Sequence, residues 1–442
     1  MYILSIDFGT SSVKSSILDE SVNVVAFSKE EYLYKVIDRD KVELDTEVMF
    51  NAFVNSLEVL DKYKNDVDII AYCTFSPSLV LMDKDGIEIY PAITHLDRRS
   101  RKQSSMILKK MGKTEFQEIT GVLPFAGGVS VTSLLWMKEN LPEVYNKTYK
   151  IGHLNTYVYK KLTGVWATDP TNASMMGLYE TITSKGWSKD ICLNLGISEN
   201  LLPSIFSAGT ILGKLSKSVA MRTGLKEGIP VTLGSNDAAT AQIGADNLNC
   251  GDMLNISGSS DMISIITDIP KISDMYYLRN AITPGKWQIY ATTIGGFAIE
   301  WFRKEFYKDV TQDQFYNKCF PDVIEDFSTD PTVKFLPYLA GDRHSLRKKR
   351  GVFSGLTLDS TREDMLRAIL MGIQGPILNT INLSSNFIKL SNILKVTGGL
   401  TSDSYINLKR QIFKDLEIKV IDNCPTLGNG KLALESLGKV RN

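Results

Sequence analysis

Two polar hairpins, separated by more than half of this 442-residue chain, constrain its fold most strongly. In each hairpin a β-rich run stops at a glycine-containing polar turn, and a second β-rich run follows. The turns are Asp7-Phe8-Gly9-Thr10-Ser11-Ser12 and Ser257-Gly258-Ser259-Ser260-Asp261. This recurrence predicts two similar α/β halves, each of which opens its core with such a hairpin. Two unrelated hairpins that arose by chance are the alternative.

Helical and β patterns alternate along the rest of the chain. The run 360–383 predicts a helix with Thr361 as its N-cap, because acidic residues fill its first turn and apolar residues follow helical spacing. The run 393–397 predicts a strand that leads into Gly398-Gly399, and a helix is expected from about 402 to 416. Such alternation is typical of α/β proteins.

Composition excludes several classes of protein. The chain has 50 Lys+Arg, 50 Asp+Glu and only 3 His, so it lacks the basic surface of most nucleic-acid-binding proteins. Its five cysteines are widely spaced without a Cys-x-x-Cys pair, which favours a cytoplasmic protein over a disulfide framework or a zinc site. The uncharged stretch 119–137 is broken by Pro124 and three glycines. We interpret it as a soluble loop entering a helix near Thr132, and we expect no membrane partner.

The two hairpin turns are candidate phosphate-binding sites. Backbone N–H groups in a glycine turn can surround a phosphate, and the hydroxyls of Thr10, Ser11 and Ser259 can donate to its oxygens. Asp7 can hold Mg²⁺, through water, in the same turn. Each turn alone is equally compatible with ordinary hairpin geometry, in which Asp and Gly are common for conformational reasons.

Two further segments combine small residues with a possible ligand-binding position. Gly398-Gly399 stands between a predicted strand and a predicted helix, where backbone approaches a ligand closely; a plain strand–helix turn is the alternative. Asp237 follows the apolar run 229–233 and precedes small residues that begin a helix. Its carboxylate can serve as a general base toward a hydroxyl substrate, or simply as the N-cap of that helix.

In this order the segments resemble the motifs of the FGGY carbohydrate kinases, which belong to the actin-like, ribonuclease H-like ATPase superfamily. A further stretch that looks like a family segment is 169–177. The matching residues are Asp7, Gly9, Thr10 and Ser11 for the first phosphate motif, Gly234 and Asp237 for the base motif, Gly258, Ser259 and Ser260 for the second phosphate motif, and Gly398 and Gly399 for the adenosine motif.

The resemblance implies an α/β fold with two ribonuclease H-like domains flanking a catalytic cleft. We expect residues 1–246 to form the sugar-binding side and residues 247–442 the ATP-binding side. Asp237 would be the catalytic base and would contact the acceptor hydroxyl. ATP and Mg²⁺ would be the cofactors, with phosphate and nucleotide contacts from Gly9, Thr10, Ser11, Gly258, Ser259, Gly398 and Gly399 and a water-mediated metal contact from Asp7.

The sequence motifs say less about which sugar or polyol accepts the phosphate. The family's Trp-x-Asp-x-Arg becomes His95-Leu96-Asp97-Arg98-Arg99, so Asp97 and Arg99 are candidate sugar-binding residues; a solvated charge cluster is the alternative. The pentulose kinase signature before Leu79 is absent, and the Leu427–Gly430 region departs from the family pattern. We expect phosphorylation of a ketose such as xylulose or a related polyol. The alternatives are a glycerol or gluconate kinase and a non-catalytic ATP- or sugar-binding regulator, with a homodimer left open.

Overall fold

The structure is a computed structural model that describes residues 1–325, 327, 331–339, 341 and 349–439. The strands of the first half are β1 Tyr2–Phe8, β2 Ser12–Leu18, β3 Val24–Glu31, β4 Lys35–Val36, β5 Val42–Leu44, β6 Val67–Thr74, β7 Ser78–Met82, β8 Glu88–Thr94, β9 Lys150–Gly152, β10 Ala167–Thr168, β11 Ser204–Ile205, β12 Ile211–Lys214, β13 Pro230–Thr232 and β14 Ser235–Asn236. Those of the second half are β15 Met253–Ser257, β16 Ser260–Thr267, β17 Tyr277–Asn280, β18 Trp287–Ile294, β19 Lys334–Leu336, β20 Val352–Ser354, β21 Ile393–Thr397 and β22 Glu417–Val420.

Helices cover and connect these strands. In the first half they are α1 Thr46–Ser56, α2 Arg101–Met111, α3 Lys113–Thr120, α4 Ser130–Asn140, α5 Pro142–Lys147, α6 Leu154–Thr163, α7 Pro170–Met176, α8 Lys189–Leu195, α9 Lys217–Thr223 and α10 Asp237–Gly244. In the second half they are α11 Gly296–Phe306, α12 Gln312–Gln314, α13 Phe320–Glu325, α14 Arg362–Ser385, α15 Asp403–Ile412 and α16 Cys424–Ser436. Short 3₁₀ turns lie at Asp61–Asp66 and Glu199–Leu201, and a π-helical turn lies at Phe315–Cys319.

The two halves repeat one sheet topology. In the first, β3, β2 and β1 form an antiparallel meander, and β6 and then β13 continue the sheet parallel to β1. In the second, β18, β16 and β15 form the meander, and β21 and then β22 continue it parallel to β15. The predicted similarity of the halves and the α/β class are confirmed. Each predicted polar turn joins the first two strands of its meander.

Apolar burial explains why these segments form central strands. Ile3, Leu4, Ile6 and Phe8 of β1 are fully buried, as is Met253 of β15, so both faces of each sheet are covered. Two separate cores result, one around β1 and β6 and the other around β15, β16 and α14. A third apolar cluster contains Tyr277 and Tyr290 of the second half together with α4 and α7 of the first, and therefore joins the halves.

The predicted helix and strand after residue 360 are confirmed. Thr361 caps α14 through a reciprocal pair of hydrogen bonds with Asp364, and β21 spans the predicted residues 393–397. α15 begins after Ser402, as expected, but ends at Ile412 because Phe413 leaves the helical conformation.

The helix α16 leaves the second half and packs on the first. Asn429 is fully buried, and its Nδ2 donates to Ile6 O at 3.1 Å and to Ser5 Oγ at 3.2 Å on β1. α16 also crosses α10 at two glycines, where backbone meets backbone. A Cβ atom on Gly428 would lie 2.0 Å from Thr240 O, and one on Gly244 would lie 1.9 Å from Cys424 O.

Within the described ranges, no helix combines the length and the apolar character needed to cross a membrane.

The helix crossing gives a stability prediction. Gly428→Ala forces α10 and α16 apart, because the clashing atom is a backbone oxygen that cannot rotate away. We expect a loss of about 1–3 kcal/mol in the free energy of unfolding, measured by denaturant titration. Asn382→Ala in α14 is the control, since Asn382 is exposed and alanine is the better helix former. Equal midpoints for the two variants would contradict the prediction.

Candidate active site

A cavity of about 1580 Å³ separates the two central sheets, and most of the predicted site residues line it. Asp97 and Arg99 do not belong to its lining. The predicted residues brought together there are Asp7, Gly9, Thr10, Ser11, Asp237, Gly258, Ser259, Gly398 and Gly399.

The turn of the first hairpin is held by its own backbone and by one tyrosine. Gly9 N donates to Ser12 O at 3.0 Å, which closes the turn. Tyr32 N donates to Ser11 O at 3.1 Å, and the Tyr32 hydroxyl donates to Gly9 O. These bonds use carbonyl oxygens, so the exposed Thr10 and Ser11 hydroxyls remain on the cavity side, where they can donate to an anion.

The second hairpin and the Gly398-Gly399 turn are in direct contact. Gly398 has a φ of +112°, and a Cβ there would lie 2.2 Å from Ser257 O. Only glycine therefore allows the end of β21 to approach the turn so closely. On the other side, Gly296 N at the start of α11 donates to Gly258 O at 2.9 Å. The second turn is thus fixed from both flanks.

A buried charged network lies beneath the second turn. Asp261 and Lys409 are both fully buried, and Lys409 Nζ lies 3.2 Å from Asp261 Oδ2. Tyr405 Oη donates to the same oxygen at 2.9 Å, while Asn255 Nδ2 donates to Asp261 Oδ1 at 2.6 Å. Burial lowers the pKa of Lys409, and the Asp261 carboxylate opposes that shift. The network ties the hairpin to α15, which follows the glycine pair.

Asp237 is the first residue of α10, but it does not cap the helix. Asn236 is the N-cap, and its Oδ1 accepts from Ala238 N at 3.1 Å and Ala239 N at 3.2 Å. The carboxylate of Asp237 remains partly exposed to the cavity. The interpretation of Asp237 as the N-cap is therefore wrong, because its neighbour already satisfies the helix.

Burial, followed by repulsion from Asp7, raises the pKa of Asp237 to about 7. Positive charges on Arg279 and Lys14 partly oppose the shift. A carboxylate whose pKa lies near neutrality is well suited to accept a proton from a hydroxyl, because it is basic enough to help and still substantially ionised.

Asp7 and Lys14 form an ion pair across the first hairpin, with Lys14 Nζ 3.3 Å from Asp7 Oδ2. The Asp7 carboxylate raises the pKa of Lys14, so this lysine carries its charge beside the first hairpin turn. No cluster of three His, Cys, Asp or Glu suited to hold a metal ion occurs in the part of the chain that the structure describes.

Asp97 and Arg99 lie behind the cavity wall rather than in it. Asp97 is fully buried and accepts from Val42 N at 2.9 Å, while Arg99 bridges Asp97 and Glu43 at 2.7 and 2.8 Å. Burial raises the pKa of Asp97, against the opposing effect of Arg99. This geometry suits Asp97 and Arg99 to hold the 95–99 turn rather than to make the predicted direct contact with a sugar. His95 and Leu96 of the same turn do reach the cavity.

Among the lining residues that the sequence analysis did not predict are Lys14 and Arg279, whose charges act on Asp237. Lys14 was detectable, because alternation along β2 from the polar turn places its side chain beside Asp7. Arg279 on β17 carries no signal in the sequence, since its position depends on how β17 packs across α7 of the first half.

Comparison with known proteins agrees with this geometry. A model of the FGGY family of carbohydrate kinases, N-terminal domain, matches residues 2–244. This chain belongs to the FGGY family of carbohydrate kinases. It is therefore a phosphotransferase that uses ATP as its phosphate donor and an alcohol group as the acceptor.

Individual relatives match over almost the whole chain of this FGGY kinase. It is similar to the xylulose kinase of Bacillus subtilis (strain 168), with 28% identity over 98% of this chain and 87% of the relative. It is also similar to the gluconokinase of the same organism, with 24% identity over 99% and 88%. The structure of ligand-bound xylulose kinase from Lactobacillus acidophilus superposes with a TM-score of 0.90, covering 100% and 90% of the two chains at 24% identity. The predicted actin-like fold is confirmed.

The elevated pKa of Asp237 predicts the pH dependence of the FGGY kinase. Protonation removes the base, so kcat/KM for the acceptor should fall about tenfold per pH unit below about 7 and level off above it. A steady-state pH profile measures this. Asp246→Asn, which alters an exposed aspartate just after α10, should keep the same acidic limb. A limb near pH 4 in the wild type would contradict the assignment of the base.

The buried network predicts a second effect. Lys409→Met leaves the Asp261 carboxylate buried without its cation, and we expect a loss of about 3–5 kcal/mol in the free energy of unfolding. The double variant Asp261→Asn/Lys409→Met should recover much of that loss, because no charge is then buried. Lys419→Met removes an exposed pair with Glu417 and should cost less than about 1 kcal/mol. If the double variant lost as much free energy of unfolding as the two single variants together, the two residues would not act as a network.

Proposed function

We propose that Asp237 is the general base of an ATP-dependent transfer of phosphate to a hydroxyl of a small sugar. The observation that carries this proposal is the position of the Asp237 carboxylate, whose pKa is raised to about 7, in the same cavity as two glycine hairpins. Asn236 caps the helix, and Asp237 Oδ1 accepts a hydrogen bond from Ala238 N at 2.7 Å. Asp237 accepts the proton of the acceptor hydroxyl as its oxygen attacks the γ-phosphorus. The bond between that phosphorus and the β,γ-bridging oxygen breaks, and ADP leaves.

The two hairpins would bind the phosphates from opposite sides. Thr10 and Ser11 donate from the first turn, and Ser259 with the backbone of Gly258 contacts the phosphates from the second. Gly398 and Gly399 border the nucleotide, and the space at the Cβ position of Gly399, which holds no protein atom within 4 Å, leaves room for the adenosine. On this assignment residues 1–246 form the acceptor side and residues 247–442 the nucleotide side.

Mg²⁺ fits this arrangement as a phosphate-bound ion. Asp7 lines the cavity beside the first turn, and its carboxylate can hold a water ligand of the metal. When bound, the ion neutralises charge on the phosphate oxygens. Lys14 adds a fixed positive charge at the same turn, so phosphate recognition is local and needs no basic surface.

The leading acceptor is a ketose of the pentulose class, with xylulose as its example. The support is the similarity to the xylulose kinase of Bacillus subtilis over 98% of the chain. A sugar acid is the second candidate, supported by the similarity to the gluconokinase and by the positive charge of Arg279 in the cavity wall.

The proposal is tested by measuring acceptor-dependent ADP release with a panel of ketoses, polyols and aldonates. We expect the wild type to phosphorylate at least one of them, and Asp237→Asn to lower kcat by roughly 10²–10⁴-fold, because the base is lost. Asp237→Asn should still bind ATP, and at pH 8 it should unfold at no lower temperature than the wild type, since it removes a buried charge.

Asp246→Asn serves as the matched control and should retain wild-type turnover. Unchanged turnover in Asp237→Asn would exclude Asp237 as the base. Tight ATP binding with no product from any acceptor would instead favour a non-catalytic nucleotide-binding regulator with the same fold.

A further inference from the structure

A buried arginine with an incomplete set of partners lies in the cavity wall. Arg279 on β17 is 2% exposed. Its Nε donates to a neutral group, Gln288 Oε1, at 2.6 Å, and its guanidinium lies 4.4 Å from the centre of the Tyr290 ring. Its Nη2 is buried and has no hydrogen-bond partner among the residues that the structure describes. One strong donor of this side chain is therefore unsatisfied.

The charge of Arg279 is also incompletely balanced. It interacts favourably with Asp237 and Asp169, but within the described ranges neither carboxylate forms an ion pair with it at 4.0 Å or less. Asp169 already accepts hydrogen bonds from Ser235 Oγ and Asn172 Nδ2. A buried guanidinium normally has a carboxylate or phosphate partner, because leaving it unpaired is costly.

The surroundings of Arg279 suit a small polyhydroxylated molecule. Phe125 stacks on Tyr277 with ring centres 5.1 Å apart, Tyr277 meets Tyr290 in a tilted contact at 4.8 Å, and all three line the cavity. Such a wall covers the C–H faces of a sugar. The polar ends of the molecule would then meet Asp237 and Arg279, which line the same cavity.

We propose that Arg279 recognises an oxo oxygen of the acceptor, either the ketone oxygen of a ketose or a carboxylate oxygen of a sugar acid. This inference rests on the proposed function, whose acceptor class it narrows. A guanidinium only donates hydrogen bonds, and ketone and carboxylate oxygens only accept them. A polyol has a hydroxyl in place of the oxo oxygen. The hydrogen of that hydroxyl needs a hydrogen-bond acceptor, which Arg279 cannot provide. Arg279 therefore disfavours polyols, and a carboxylate gains additionally from charge neutralisation.

The test compares acceptor pairs that differ at one oxidised carbon: xylulose with xylitol, and gluconate with sorbitol. The wild type should prefer the oxo member of at least one pair. Arg279→Gln should lower kcat/KM for that member roughly 10- to 100-fold and change the value for its polyol by less than about threefold. For a polyol that is not phosphorylated, the inhibition constant against a phosphorylated acceptor replaces kcat/KM in this comparison. The pair with the larger loss identifies the source of the oxo group.

Two further variants keep the test decisive. Arg303→Gln alters an arginine outside the cavity lining that forms an ion pair with Glu300. It should leave kcat/KM unchanged for both members of each acceptor pair. Gln288→Glu gives Arg279 a carboxylate partner through the existing contact to Nε. It should reduce the preference for oxo acceptors even if Arg279→Gln fails to fold.

Equal losses for oxo acceptors and polyols, or an unchanged preference in both Arg279→Gln and Gln288→Glu, would overturn the inference. Failure of the proposed function is recognised separately, as wild-type protein that releases no ADP with any acceptor. Calorimetric binding of the same pairs then tests Arg279 alone. A preference for xylulose or gluconate that Arg279→Gln removes would support the inference, and equal binding of both members would reject it.

Discussion

The crossing of α10 and α16 is the contact on which the arrangement of the site depends. It is made by two glycines that allow backbone to touch backbone, so the helices approach more closely than side chains would permit. α10 begins with Asp237, and α16 begins beside Asn423 and Pro425, which line the cavity on the opposite side. The crossing therefore fixes the position of the candidate base relative to the lining residues at the start of α16.

Three carboxylates in or near the cavity wall, those of Asp261, Asp7 and Asp237, are balanced by positive charge to different degrees. Asp261 has a buried lysine and several neutral donors, Asp7 has one lysine at 3.3 Å, and Asp237 has no ion pair among the described residues. The fully balanced group holds the structure of the second turn. Asp237, the least balanced of the three, has a pKa raised to about 7 by burial and by Asp7, and it is the residue that we propose as the general base.

Sequence alone predicted the fold and the position of the two glycine hairpin turns well, because these depend on local chemistry. A glycine and hydroxyls between two apolar strands specify the first hairpin almost completely, and the Thr361 cap specifies the start of α14. The acceptor side was harder to predict. Asp97 and Arg99 are only two residues apart, yet their burial is decided by Glu43 and Val42 from distant parts of the chain. Arg279 reaches the cavity only because the two halves pack against each other, and no local pattern encodes that packing.

The return of α16 to the first half has a consequence for biosynthesis. The strands that carry the first hairpin turn and the helix that carries Asp237 are translated before residue 245, but Asn429 joins them only after most of the second half has been made. A nascent chain that has not yet reached α16 lacks the donor that Asn429 provides to Ser5 Oγ and Ile6 O. The packing of α16 on the first half can therefore form only at the end of synthesis.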